Sequence, residues 1–280
     1  AKLTQIVTKD ADVNIVISDA IENATADNII QLNAIGNTTN GSLTATIDGN
    51  AAELDDLTGN ASQSATCTYT ITVDDAATVT QGKTIVDATS VATVDFSAAG
   101  LTGALATYIA AAGNGIHASL TDIKNKDGDI NILVTPTVAD ITAAQVIQIN
   151  NIAAATTGTV TASIDGNAAE LDDLAANGTS ATCAFTIVVD DAVTVAQGKT
   201  IVDATSITTV DFSAAGVADT LANCIDTNAI HASLTAIKNK DTDVNIALTT
   251  INTITESQVT HLNLVTDLTQ GTVSISIDGN

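Results

Sequence analysis

Three copies of an Asp-x-Asp-x-Asn pattern are the residues of this chain that are best suited to bind a metal ion. The copies are Asp10, Asp12 and Asn14; Asp127, Asp129 and Asn131; and Asp241, Asp243 and Asn245. Oxygen ligands at alternate positions can converge on calcium. The Gly and the Glu that complete an EF-hand loop are both missing, and Asp also forms turns through local backbone hydrogen bonds. The pattern leaves two hypotheses open, a calcium site and a turn.

Two pairs of adjacent acidic residues form a second candidate site for calcium. Asp74 and Asp75 follow one alternating apolar segment, and Asp190 and Asp191 follow its repeat. Adjacent carboxylates repel each other, and either a bound cation or full solvation relieves that repulsion. These pairs therefore also leave calcium binding and solvent exposure open.

A phosphate-binding loop is excluded, although the tetrapeptide QGKT occurs twice, at Gln81–Thr84 and Gln197–Thr200. Such a loop needs a Gly five residues before its Gly-Lys pair, so that backbone N–H groups can surround the phosphate. Ala77 and Val193 occupy those positions. We also expect the β-branched residues after the tetrapeptide to form a strand, not the helix that the loop requires.

Catalytic chemistry is not indicated by any spacing of nucleophiles and bases. His117 and His231 are repeat equivalents, and His261 stands where another repeat has Gln148. The polar residues recur with the repeat, whereas catalytic residues usually occur once, so we predict that the chain is not an enzyme. Cys67, Cys183 and Cys224 show no C-x-x-C spacing, which argues against a zinc or redox site.

N-glycosylation is a further candidate modification. The sequence contains five N-x-S/T motifs, at Asn23, Asn37, Asn40, Asn60 and Asn177. These motifs would accept glycans only if the chain is secreted.

The composition excludes several classes of partner. The net charge is −24, and all eight basic residues are Lys. Nucleic acids and anionic membrane surfaces attract clustered Lys and Arg, so neither partner is expected. No apolar run is long enough to span a membrane. With 2% aromatic residues, the core must consist of Ile, Val, Leu and Ala, which predicts thin, layered packing. The lack of Met indicates a processed chain or part of a longer one.

Internal repeats organise the whole sequence. QGKTIVDATS occurs at Gln81–Ser90 and Gln197–Ser206, which gives a period of about 115 residues. Two kinds of module alternate along the chain. The short modules are residues 1–50, 118–167 and 232–280, and the long modules are residues 51–117 and 168–231.

Each short module predicts a strand, a helix and a second strand. The first strand lies in DVNIVIS, DINILVT or DVNIALT. Capping-box patterns follow at Thr25 and Asn28, Thr142 and Gln145, and Thr255 and Gln258. Apolar residues spaced by three or four, such as Val146, Ile149 and Ile152, then predict a helix. The alternation of Leu43, Ala45 and Ile47 with Thr predicts the second strand.

Each long module predicts more strand than helix. A short helix is expected in NAAELDDL, followed by an alternating strand with Cys67, Tyr69, Ile71 and Val73 on one face. Two short strands are expected in KTIVDA and ATVDF, and a final helix in AAGLTGALATYIAAAG.

This alternation predicts an α/β repeat protein, in which short strands and short helices stack in a solenoid. Each coil of a solenoid buries its apolar face against its neighbours only. The alternative is a row of tandem β-rich domains, one for each repeat of about 115 residues, because that length suffices for a domain.

The repeated phrases ATSVATVDFSAAG, TGTVTASIDGNAAELDDL and VADITAAQVIQINNIAAATTGTV resemble the tandem repeats of very large secreted surface proteins of cyanobacteria and other bacteria. The resemblance covers essentially the whole chain but includes no catalytic signature. It implies an extracellular or cell-surface location and a role in an adhesin stalk, a surface layer or a fibre.

We therefore expect a structural protein that builds an extracellular filament or appendage by head-to-tail stacking, with copies of itself or with flanking repeats as partners. One alternative is a spacer in a giant adhesin that does not assemble. A second is a calcium- or carbohydrate-binding module, although aromatic platforms for sugars are scarce.

Overall fold

The computed structural model describes residues 2–58, 64–91, 93–96, 99–176, 178, 180–207, 209–212 and 215–278. The chain divides into two compact units. Unit 1 contains Ala1–Val134 and Ala155–Thr159, and unit 2 contains Thr135–Ala154 and Val160–Asn280. The five modules remain an interpretation of the sequence repeat.

Unit 1 alternates strands with helices. Its elements are α1 (Lys2–Val7), β1 (Ile15–Val16), α2 (Ala26–Gly36), β2 (Ser42–Gly49), α3 (Ala51–Leu54), β3 (Thr66–Val73), α4 (Val79–Asp87), β4 (Val94–Asp95), β5 (Leu101–Gly103), a 3-10 turn (Leu105–Thr107), α5 (Ala118–Lys126) and the start of β6 (Ile132–Val138). Strands β1, β2, β3 and β4 form a parallel sheet in that order, and β5 pairs with β6 in parallel.

Unit 2 repeats this alternation. Its elements are α6 (Ala143–Ala155), β7 (Thr159–Gly166), α7 (Ala168–Leu171), β8 (Thr182–Val189), α8 (Val195–Asp203), β9 (Val210–Asp211), β10 (Val217–Asp219), α9 (Leu221–Cys224), β11 (Ile225–Asp226), β12 (Ala229–Ile230), α10 (Ala232–Lys240), β13 (Ile246–Ile251), α11 (Glu256–Leu268) and β14 (Val273–Ile277). Strands β7, β8 and β9 are neighbours in that order, and β10, β13 and β14 form a parallel sheet. Only the short β11–β12 pair is antiparallel among the pairings of this unit that the structure describes.

The core consists mainly of aliphatic side chains, many at alternate strand positions, and it also contains the five aromatic side chains, Tyr69, Phe96, Tyr108, Phe185 and Phe212. On β3, Cys67, Tyr69, Ile71 and Val73 are buried, as the alternation predicts. On β2, Leu43, Ala45 and Ile47 are buried and lie beside β3 in parallel register. Parallel neighbours need a crossover connection, and the helices between the strands supply it. The predicted fold class is confirmed at this level: the described residues form a mixed α/β structure with parallel sheets and no closed barrel.

The predicted capping boxes are present. The hydroxyl of Thr25 accepts a hydrogen bond from the N–H of Asn28, whose side chain accepts one from the N–H of Thr25. Thr255 and Gln258 make the same reciprocal pair at α11. The helix predicted from Val146, Ile149 and Ile152 is α6, with all three side chains buried. Local signals for the short modules are therefore reliable in this sequence.

The strand predicted in KTIVDA is wrong, because these residues lie in helix α4 and its equivalent α8. Thr78 and Gln81 form a capping box that begins α4, and the buried residues Val79, Gly82 and Val86 follow helical spacing. Capping and burial thus override the strand preference of the β-branched residues. The phosphate-binding loop is still excluded by its missing Gly, but the expectation that no helix follows QGKT was also wrong.

The helix predicted in AAGLTGALATYIAAAG is also wrong over its described part. Gly100 has a positive φ of 59° and turns the chain, after which β5 and the 3-10 turn follow. The N–H of Leu101 bonds to the carbonyl oxygen of Asn131 at 2.8 Å, so pairing with a neighbouring strand replaces helical hydrogen bonds. The equivalent segment of unit 2 contains β10 and the one-turn helix α9.

Helices α1, α5 and α10, at the start of the three short modules, were not predicted. His117 and His231 begin α5 and α10, because the Nδ1 atom of each His accepts a hydrogen bond from the N–H two residues later, at 3.1 and 3.2 Å. These two His are therefore helix caps.

Candidate functional site

The first Asp of each triplet lies at a turn. Two of these three residues accept a hydrogen bond from a backbone N–H group that is far away in the sequence. The Oδ2 atom of Asp127 accepts a hydrogen bond from the N–H of Phe96 at 3.0 Å. Asp241 accepts one from the N–H of Phe212 at the same distance. In the first triplet, Asp10 accepts only a local bond, from the N–H of Asp12 at 3.1 Å, among the bonds the structure describes.

The Asn of each triplet joins two strands. The Oδ1 atoms of Asn14, Asn131 and Asn245 accept hydrogen bonds from the N–H groups of Ser42, Thr159 and Thr272, each at 2.8 Å. These contacts support the turn interpretation of the triplets, since their oxygens organise the backbone. Calcium binding there stays a prediction.

Burial makes two triplet carboxyls unusually weak acids. Burial raises the pKa of Asp127 to about 6, an effect that the bond from Phe96 opposes and that nearby Asp129 increases. Burial likewise raises the pKa of Asp241, which lies next to Asp243. Burial therefore disfavours the ionised form of both carboxyls, and the hydrogen bonds from the N–H groups of Phe96 and Phe212 partly offset that cost.

The second acid of each adjacent pair caps a short helix. The Oδ1 atom of Asp75 accepts a hydrogen bond from the N–H of Ala51 at 2.7 Å, at the start of α3. Asp191 does the same for Ala168, at 2.6 Å, at the start of α7. These carboxylates satisfy N–H groups that a helix leaves unpaired, and they lie where the helix dipole favours negative charge.

The first acid of each pair faces a carboxyl that the sequence did not single out. A hydrogen bond with Asp48 is the main reason that the pKa of Asp74 is raised. The pKa of Asp190 is raised by desolvation and then by a hydrogen bond with Asp165. The signal for this pairing is the register of β2 and β3, in which Asp48 lies opposite Thr72. Asp74 follows Thr72 by two positions, which places it diagonally from Asp48 at the strand ends.

The acidic strand ends, Asp48 with Asp74 and Asp165 with Asp190, are candidate cation sites among the described residues, because each brings two carboxyls together. Glu53 and Glu170 each have one buried carboxylate oxygen without a hydrogen-bond partner in the structure described. Neither the acidic strand ends nor any other part of the described chain brings three His, Cys, Asp or Glu residues into an arrangement that could hold a metal.

A second recurrent feature is the contact between a long module and the short module that follows it, which we call the junction. In the first junction, the Nζ atom of Lys126 donates hydrogen bonds to the carbonyl oxygens of Val91 and, at 3.3 Å, Thr89. In the second, the Nζ atom of Lys240 bonds in the same way to Ile207 and, at 3.1 Å, Thr205. The adjacent Asp127 and Asp241 make the bonds to Phe described above.

Apolar packing and strand pairing complete each junction. A Cβ atom at Gly82 of α4 would lie 2.9 Å from the Cδ1 atom of Ile123, so α5 packs closely on that glycine. Gly198 and Ile237 repeat the contact between α8 and α10. The N–H of Val217 bonds to the carbonyl oxygen of Asn245 at 2.8 Å, as Leu101 bonds to Asn131. Each junction therefore combines a buried Ile, a Lys-Asp pair and a strand edge.

Two equivalent surface clefts lie beside the junctions. One, of about 440 Å³, is lined in part by Thr78, Thr102 and His117, and its equivalent, of about 350 Å³, includes Asp219 and His231. The carboxylate of Asp219 accepts hydrogen bonds from the N–H of Val195 and the amide of Asn223. In both clefts the His uses its Nδ1 atom as a helix cap.

Of the glycosylation candidates, Asn23, Asn37 and Asn40 are exposed. Asn60 and Asn177 lie outside the described residues. Glycosylation stays a prediction.

Comparisons with protein families, with curated proteins and with solved structures find no match to this chain. Across the described residues, no helix has the length and apolar character needed to cross a membrane.

Proposed function

We propose that this chain is a structural repeat segment of an extracellular filament or cell-surface appendage, in which modules stack head to tail as a solenoid. The observation that carries the proposal is the junction, which is built from the same set of contacts in both units. A contact set reused at equivalent positions is the property that a stack of repeats requires. Catalysis is not part of this function.

The last described strand supports continuation of the stack. On β7, Val160, Ala162 and Ile164 are buried, and β8 is its neighbour. The equivalent residues of β14 are Val273, Ile275 and Ile277; none is buried, and Ile277 is 47% exposed. Strand β14 pairs with β13 only, among the pairings described. An edge strand with apolar side chains is a surface on which another chain segment can pair.

Composition and resemblance support the location. A net charge of −24 without Arg keeps a chain soluble and suits surroundings in which salt or calcium screens the charge. The repeated phrases resemble those of large secreted bacterial surface proteins, which supports a place outside the cell.

Negative-stain electron microscopy at neutral pH tests the proposal on the chain with a copy of residues 168–231 fused before residue 1, which gives it a long module at one end and a short module at the other. We expect regular fibres, and we expect Ile275→Lys to abolish them without loss of helical circular dichroism, because a charge would stop pairing at β14. Uniform single particles across a range of protein concentrations would refute self-assembly and favour a spacer in a giant adhesin.

Calcium binding is a second candidate function, and the paired carboxyls Asp48 with Asp74 and Asp165 with Asp190 favour it. A divalent cation between two carboxylates removes their repulsion. We expect calcium chloride to raise the unfolding temperature relative to a chelator, and Asp74→Asn together with Asp190→Asn to reduce that difference. An unfolding temperature that does not depend on calcium would exclude this function. Carbohydrate binding has no comparable structural support.

A further inference from the structure

We infer that the surface formed by α1 and β1 binds a long-type module of this repeat, through the same kind of junction that the other two short modules make. We call this the α1–β1 surface and define it by Leu3, Ile6, Lys9, Asp10 and Ile15. The inference rests on the proposed stacking function and names the partner of one end of the stack.

The residues of the α1–β1 surface match those of the two junctions in type and spacing. Leu3 corresponds to Leu120 and Leu234, and Ile6 corresponds to Ile123 and Ile237. Lys9 and Asp10 correspond to the pairs Lys126-Asp127 and Lys240-Asp241. Helix α1 therefore carries the apolar groups that make a junction, and the residues just after it carry the charged groups.

The corresponding residues are covered in both junctions. Leu120, Ile123, Leu234 and Ile237 are fully buried, because α5 packs on α4 and α10 packs on α8. Ile132 and Ile246, which correspond to Ile15, are also buried.

The same positions are open on the α1–β1 surface. Ile6 is 52% exposed, while Leu3 and Ile15 are partly exposed. Lys9 and Asp10 are exposed, and the Nζ atom of Lys9 has no hydrogen-bond partner among the described residues. Among the three equivalent positions, this is therefore the one at which the apolar side chains are left uncovered beside a Lys and an Asp that make no junction bonds.

The backbone of this surface is also ready to pair. Strand β1 pairs with β2 on one edge, and no strand of the described chain pairs with its other edge. In the junctions, the equivalent edge belongs to β6 or β13. There the carbonyl oxygen of Asn131 accepts a hydrogen bond from the N–H of Leu101, and that of Asn245 accepts one from the N–H of Val217. The carbonyl oxygen of Asn14 is the equivalent acceptor.

A long-type module supplies every group that this surface lacks. Its QGKT helix offers a glycine to Ile6, the loop after the helix offers two carbonyl oxygens to Lys9, and the Phe of its VDF segment offers an N–H to Asp10. The β14 end of a second copy offers none of these groups. The two long modules of this chain already give theirs to Lys126-Asp127 and Lys240-Asp241. The partner is therefore a further long-type module with a free surface.

Fusion of a further copy of residues 168–231 directly before residue 1 of the full chain tests the inference. Hydrogen–deuterium exchange of peptides from residues 2–16 is measured with and without the fused module. We expect exchange in this segment to slow at least about tenfold, because the junction must open before α1 can fray. A fused copy of the short module 118–167 is the matched control, and it should leave the exchange rate unchanged.

The double substitution Lys9→Ala and Asp10→Ala separates docking from a general effect of fusion. It should restore fast exchange in the long-module fusion and change nothing in the unfused chain. The inference is overturned if residues 2–16 exchange equally fast while the added module is itself protected. It is also overturned if the fused module itself, whether residues 168–231 or residues 51–117, gains no protection from hydrogen exchange, because docking on the α1–β1 surface would cover part of that module. Fibre formation is measured separately, so the hydrogen-exchange result can be interpreted even if no fibres form.

Discussion

The carboxylate of Asp127 receives the backbone N–H of Phe96 at 3.0 Å, across 31 positions of sequence, and Asp241 receives that of Phe212 in the same geometry. Burial raises the pKa of both carboxyls, and the hydrogen bond from the Phe N–H opposes that rise. The bond joins the residue that follows β4 or β9 in a long module to the residue that follows the first helix of the next short module. Four predictions test this relationship and the contacts around it.

Asp127→Asn should stabilise the chain near neutral pH. The pKa of Asp127 is about 6 in the folded chain, above its ordinary value, so the folded state binds more protons than the unfolded state between about pH 4 and 6. Stability contributed by this group therefore falls as the pH rises through that window. Asn keeps an oxygen for the N–H of Phe96 and removes the charge, which should add about 1 kcal/mol after allowance for solvent screening.

Urea unfolding at pH 4.5, 5.5 and 7 measures this effect. The difference between variant and parent should grow from the lowest to the highest pH. Asp19→Asn, which changes an exposed carboxylate, is the control and should show no such trend. A variant that is less stable than the parent at pH 7 would contradict the prediction.

Lys126→Met and Lys240→Met should each destabilise the chain by about 1–3 kcal/mol, because two carbonyl oxygens at each junction lose a charged donor. Met retains the apolar stem, so the loss reports the hydrogen bonds and not the packing. Lys9→Met is the matched control and should change the unfolding free energy by less than about 0.5 kcal/mol. Equal effects at all three positions would show that the junction bonds contribute nothing.

Gly158→Ala should destabilise the chain by about 2 kcal/mol or more. A Cβ atom at Gly158 would lie 2.1 Å from the carbonyl oxygen of Asp129, and backbone must move to remove the overlap. Gly115→Ala is the control, because no atom lies within 4 Å of the added Cβ. Thermal unfolding of both variants checks the difference; similar unfolding temperatures would argue against the close approach.

Thr89→Val should cost about 2 kcal/mol, although the two side chains have nearly the same shape. The hydroxyl of Thr89 accepts a hydrogen bond from the N–H of Tyr69 at 2.8 Å and donates one to its carbonyl oxygen at 2.7 Å. Substitution leaves both buried backbone groups unpaired. Thr70→Val, on the exposed face of the same strand, should be nearly neutral. A comparable loss at Thr70, measured by urea unfolding, would assign the effect to strand propensity instead.

The strands and helices of the short modules could be predicted from the sequence because their signals are local. Alternation at Leu43, Ala45 and Ile47 and the capping box at Thr255 each depend on neighbouring residues only. The β-branched run of helix α4 resembles a strand, and the signal that distinguishes the two is the capping box of Thr78 and Gln81. Helix α5 was missed because only Leu120 and Ile123 of its nine residues are buried, which is a weak periodic signal.

The candidate sites were less predictable than the elements. The pairing of Asp48 with Asp74 depends on the register between two strands, which a single sequence does not reveal. At the junctions, Lys126 and Asp127 bind backbone atoms. Every residue has the same backbone atoms, so the sequence does not indicate which of them are bound. The side-chain oxygens of the Asp-x-Asp-x-Asn triplets suggest a calcium site, but the contacts that they make are hydrogen bonds from backbone N–H groups of the same chain.

The junction has a consequence for how such a chain can evolve. Each Lys-Asp pair binds main-chain carbonyl and N–H groups, so a side chain in the segment that it contacts can change, as from Val91 to Ile207, without loss of the contact. A duplication of one long module together with the short module behind it would carry both halves of a complete junction. Gene recombination can therefore lengthen or shorten this protein in steps of one repeat, and no step requires a new interface to be invented.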